Sequence, residues 1–73
     1  MNSHTTIEIT MPRTAAGADE VCQIMKAAGW LCLGWVTTKA VGFESNSNSK
    51  PAPYPELKAA GVTKVRVVAE ITL

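Results

Sequence analysis

Val65, Val67, Ala69, Ile71 and Leu73 fall at alternate positions, with Lys64, Arg66, Val68, Glu70 and Thr72 between them. A period of two marks a strand with one buried face, because successive side chains point to opposite sides of a sheet. A second run of this kind opens the chain. Ile7, Ile9 and Met11 share one face, Thr6, Glu8 and Thr10 share the other, and Pro12 ends the run because it cannot donate to a ladder. Two half-buried strands at opposite ends of a 73-residue chain must be roofed by what lies between them.

The roof is legible as a helix from Thr14 to Gly29. Val21, Ile24, Met25 and Ala28 stand at i, i+3, i+4 and i+7, a single apolar stripe that Ala18 extends and Cys22 flanks. Thr14 suits the N-cap, and Asp19, Glu20 and Lys26 carry the signs the helix dipole favours. Gly29 suits the left-handed position that follows a helix, and Trp30 is then placed to fold back on Met25.

Leu31 to Glu44 reads as one further strand with a broken pattern. Leu31, Leu33 and Trp35 share a face, Val36 starts a competing register, and Gly34 or Gly42 is the place for a bulge. Without a bulge, Val41 and Phe43 rejoin the Leu31 face. Ser45 to Pro55 is rich in Ser, Asn and Pro and reads as a loop, extended in its second half. A short helical turn follows, with Pro55 near its start, Leu57 on its buried side and Gly61 as its stop.

These elements predict a single α+β domain over residues 1–73. The expected architecture is a three-stranded sheet in the order 1-3-2, covered on one face by one helix, with a short extra helical turn before the last strand. A strand, crossover helix and strand run parallel, and the last strand enters between them, which is half of a ferredoxin-like arrangement. Such a core is small, and its edge strands are open to pairing. A homodimer is therefore expected, through edge strands or through an apolar patch near Trp35 and Phe43.

Charge narrows the partners. Seven Lys/Arg against six Asp/Glu leave a net charge of +1, and the basic residues are dispersed along the chain, so no nucleic-acid partner is expected. The apolar content of 47% argues against disorder, yet no apolar run reaches the ~18 residues of a membrane span. The polar start, Met1 to Thr6, does not read as a signal peptide, and the expected location is cytoplasmic. Cys22 and Cys32 are then reduced thiols, and with His4 they are too few for a tetrahedral zinc site, so neither metal nor cofactor is expected.

No nucleophile elbow, phosphate loop or dinucleotide fingerprint is present. Glu8 and Glu70 both fall on the outer sheet face in this reading, where pairing with Lys64 and Arg66 accounts for them better than acid–base catalysis. His4 has no visible orienting partner. The chain is thus read as non-enzymatic. The favoured function is a small interaction module that self-associates and binds a protein partner. Trp35, Phe43, Lys50 and Tyr54 are its candidate contact residues, Lys50 and Tyr54 lying in the long Ser45–Pro55 loop. The alternatives are a small-molecule binder with an apolar pocket near Trp30 and Trp35, lined also by Cys22 and Met25, and an accessory inhibitor from a phage or mobile element. The passage from Val21 through Val36, a helix, Gly29-Trp30 and an apolar strand, resembles small bacterial β-α-β-β families without assigned function, and it implies no activity.

Overall fold

A computed structural model describes residues 3–46 and 48–72, with side chains for residues 5–46 and 48–68. Six elements follow one another: β1 (Ser3–Thr10), α1 (Ala15–Ala27), β2 (Leu31–Trp35), β3 (Ala40–Glu44), α2 (Tyr54–Ala59) and β4 (Val65–Thr72). The four strands form one antiparallel sheet in the order β2-β3-β1-β4. The chain is α+β, as the alternating and helical patterns predict. Its topology is the complete β-α-β-β-α-β arrangement of ferredoxin-like folds rather than half of it.

The three-stranded order 1-3-2 is corrected on two counts. Leu31 to Glu44 is a hairpin of two strands, and the C-terminal strand lies at an edge beside β1. The hairpin turn contains no Gly, Pro or Asn. Thr37 replaces them: its Oγ1 accepts from the N–H of Lys39 at 3.1 Å and of Ala40 at 3.0 Å. The N–H of Val36 donates to the Ala40 carbonyl at 3.0 Å and closes the loop. A hydroxyl thus supplies the local bonds that turn residues normally provide.

Two bulges reset the faces. In β2 the register shifts between Cys32 and Gly34, leaving Leu33 as the extra residue; Cys32 is opposite Phe43, Gly34 opposite Gly42 and Trp35 opposite Val41. Gly34 takes φ +93°, a left-handed value that suits glycine at a bulge. Leu31 and Trp35, expected on one face, therefore lie on opposite ones, and Val41 and Phe43 keep company with Cys32 and Trp35. In β4 the shift leaves Val68 as the extra residue, so Val67 is opposite Ile7 but Ala69 is opposite Thr6. The single inner row from Val65 to Leu73 is thereby broken. By register, Ala69 and Ile71 enter the row of Thr6, while Leu73 lies outside the described residues.

The side-by-side placement of β1 and β4 holds, with Ile9 opposite Val65 and Ile7 opposite Val67. The α1 stripe packs as expected: Val21 and Met25 are fully buried, Ala28 nearly so, and they meet Ile7, Ile9, Val41 and Phe43 of the two central strands. Both helices end alike. The Gly29 N–H donates to the Lys26 carbonyl and the Trp30 N–H to the Met25 carbonyl, each at 3.0 Å. Gly61 and Val62 repeat this on Lys58 and Leu57, at 3.1 and 3.0 Å. These are Schellman endings with glycines at φ +83° and +101°, and the residue after each glycine is buried against the core. The second helix is six residues long, too short to roof β4 fully, and Val67 is 53% exposed although it is in the inner row.

Candidate functional site

The fold sends the expected site residues to different places. Phe43 is in the core at 1% exposure, so it offers nothing to a partner from the surface. Trp35 stands at the sheet edge, 63% exposed. Met25 and Trp30 are buried and Cys22 is half-buried on α1. Burial pushes the Cys22 thiol above its usual range, and the neighbouring Cys32 and Asp19 add to the shift. Trp30 borders a shallow hollow of about 350 Å³ with Thr5, Lys50 and Tyr54, while Cys22 and Met25 line none of the three described clefts.

Trp30 instead fixes the long loop. Its indole Nε1 donates to the Lys50 carbonyl at 2.9 Å, and the Lys50 N–H donates to the Ala28 carbonyl at 2.9 Å. Ser49 Oγ donates to the Gly29 carbonyl at 2.8 Å and accepts from the Asn46 N–H. At the other end Ser45 Oγ accepts from the Thr5 N–H at 3.0 Å. The loop is thus stitched to the end of α1 and to β1, and the exposed Tyr54 projects from an anchored base.

Two surface features lie apart from this loop. The first is the outer corner of the β2–β3 hairpin, on the face away from the helices. A Cβ on Gly42 would meet Val36 Cγ1 at 3.3 Å and Leu33 Cβ at 3.5 Å, so these two side chains lie over the glycine and bury it. Leu31, opposite Glu44, lies in the same row. Leu31, Leu33 and Val36 are all largely exposed, with Leu31 at 62%.

The second is a cleft of about 640 Å³ where the β1–α1 junction, the hairpin turn and the α2–β4 turn converge. Arg13, Lys39, Trp35, Thr10, Thr38 and Thr63 supply its polar and aromatic groups, and its lining contains no carboxylate. Backbone bonds fix this convergence: Met11 N–H donates to the Lys39 carbonyl at 2.8 Å, and Thr10 N–H to the Lys64 carbonyl at 3.1 Å. Two basic residues far apart in sequence, Arg13 and Lys39, are thereby brought to one end of the sheet. An apolar groove of about 710 Å³ adjoins it between α2 and β4, lined by Leu57, Val62 and Val65 with Lys58 and Lys64 at its border.

Glu8 is opposite Arg66 across the β1–β4 ladder, while Glu70 is opposite Thr5 and therefore not in the Glu8 row. The expectation of one shared row for Glu8 and Glu70 is corrected by the register shift at Val68. The side chains of His4 and Glu70 lie outside the described residues. Among the described residues no three His, Cys, Asp or Glu side chains gather as metal ligands, and no helix is long and apolar enough to cross a membrane. No local sequence signal marks Arg13, Thr38, Lys39 and Thr63 as site residues, and Leu31, Leu33 and Val36 read only as strand residues, the competing register at Val36 being the one local sign of the hairpin. Comparison with protein-family models, curated proteins and solved structures returns no match.

Proposed function

We propose that this chain is a small non-enzymatic interaction module that self-associates through the outer corner of its β2–β3 hairpin. The observation that carries this reading is the exposure of Leu31, Leu33 and Val36 together at the outer corner of the edge hairpin. Thr6, Glu8 and Thr10 lie along β1 on the same sheet face. Exposed apolar groups gathered on one patch mark contact surfaces more often than isolated ones do. A second copy is the fitting occupant, because an uncharged patch of branched aliphatic side chains is complementary to itself and a two-fold axis closes the assembly at two chains. A core of this size also gains more from added apolar burial than a larger one does.

Light scattering of the full chain at about 50 μM, a concentration at which a micromolar dimer is mostly assembled, is the test. A dimer mass for the wild type and a monomer mass for Leu33→Glu with unchanged circular dichroism support the proposal. A wild-type monomer mass, or a dimer that survives Leu33→Glu, overturns it.

A further inference from the structure

The cleft around Arg13 and Lys39 belongs to a different part of the surface from the hairpin patch. Trp35 is opposite Val41, in the helix-side row, whereas Leu33 and Val36 cover Gly42 on the other face. A ligand there and a second copy at the patch are therefore separate questions.

We propose that this cleft binds a small phosphorylated molecule with a flat ring, of the mononucleotide class, its phosphate held by Arg13 and Lys39 and its ring laid on Trp35. Three independent observations meet at this place. Its volume of about 640 Å³ falls within the range of small-molecule sites. Its lining holds two cations and three threonine hydroxyls and no carboxylate, a donor-rich set that matches a phosphate. Trp35 is 63% exposed and lines the same cleft, so an aromatic side chain is available there for stacking.

The positions are fixed rather than incidental. Pro12 packs closely on the start of α1, where a Cβ added to Gly17 would stand only 2.9 Å from Pro12 Cβ, and Arg13 follows directly on this contact. The Met11–Lys39 backbone bond sets the position of Lys39 relative to it. Lys64, whose carbonyl accepts from Thr10, adds positive potential from the neighbouring groove. A longer anionic strand is less favoured, because one exposed indole gives a platform for one ring, whereas strand-binding surfaces repeat their aromatic groups.

Amide shifts of the 15N-labelled full chain, titrated with adenosine monophosphate, adenosine, inorganic phosphate and a ten-residue thymidylate oligomer, test this. Saturable shifts at Thr38, Lys39 and Thr63 with adenosine monophosphate are expected, with weaker binding of adenosine and of phosphate alone. Arg13→Gln and Lys39→Gln should each weaken the nucleotide about tenfold, the worth of one charge-assisted contact. Trp35→Ala should remove the advantage of the nucleotide over phosphate. All three side chains are exposed, so unchanged circular dichroism shows that the fold is kept. The proposal is overturned by no saturable shift at about 10 mM nucleotide, a concentration that fills even a weak site. It is also overturned by equal binding of adenosine, or by an oligomer that binds more tightly than the mononucleotide.

Discussion

The Trp30 indole N–H reaches the Lys50 carbonyl at 2.9 Å, joining the end of α1 to a loop twenty residues further along the chain. Trp30 is itself held by the Schellman ending of α1, through its backbone bond to Met25. One residue therefore stops a helix, fills the core and anchors a proline-rich segment that has no secondary structure of its own.

Trp30→Phe keeps most of the apolar volume but removes the donor together with part of the buried ring. The Lys50 carbonyl then loses a partly buried partner, and the expected cost is about 1–2 kcal/mol. Urea denaturation measures it. Hydrogen exchange should show faster exchange at Lys50, whose own N–H is bonded to Ala28. Unchanged exchange at Lys50 would show that the indole does not hold the loop.

Phe43 and Trp35 should separate cleanly in a mutational comparison. Phe43→Ala empties a fully buried site and is expected to cost about 3–5 kcal/mol in denaturant midpoints. Trp35→Ala removes an exposed ring, and a stability change within about 0.5 kcal/mol is expected. A large loss for Trp35→Ala would mean that this ring is covered in solution.

Gly29 and Gly34 both sit at left-handed φ, but their surroundings differ. A Cβ on Gly29 would stand 3.5 Å from Ser49 Cα, an ordinary contact, while one on Gly34 would meet nothing within 4 Å. Neither site clashes, so backbone conformation alone sets the cost, about 1–2 kcal/mol for each Gly→Ala change. Thermal melts of the two variants should fall together. A neutral Gly34→Ala would show that the β2 bulge relaxes to a conformation alanine accepts.

The raised Cys22 thiol has a definite pH signature. Folding favours its neutral form, so the stability it contributes is present below the unfolded thiol pKa and is lost as pH rises through the higher folded value. Alkylation by iodoacetamide requires the thiolate. In the folded chain the rise of Cys22 labelling with pH should be displaced upward from that of the same thiol in urea. Coincident profiles would contradict the burial of this group.

The strength of the sequence lay in local periodicity. The stripe Val21, Ile24, Met25 and Ala28 located α1, the alternation Ile7, Ile9 and Met11 located β1, and Gly29 and Gly61 located the two helix ends. The strand order misled because clean alternation marks a half-covered strand, not a central one. The central β3 carries Ala40, Val41, Gly42 and Phe43, all buried, a short apolar run with no period to read. The hairpin turn escaped notice because a threonine hydroxyl closes it, and that role is indistinguishable in sequence from any other Thr-Thr pair.

What the amino acids determined unaided were the elements whose signals lie within one or two turns of chain: an amphipathic helix, its glycine stop, and strands that alternate. Tertiary structure alone decided which faces those strands present, because the extra residues Leu33 and Val68 are identifiable only against a partner strand, and each inverts the alternation that follows. It also decided that Arg13 and Lys39 come together, since backbone bonds between distant strand ends draw them in and no local pattern encodes such a meeting.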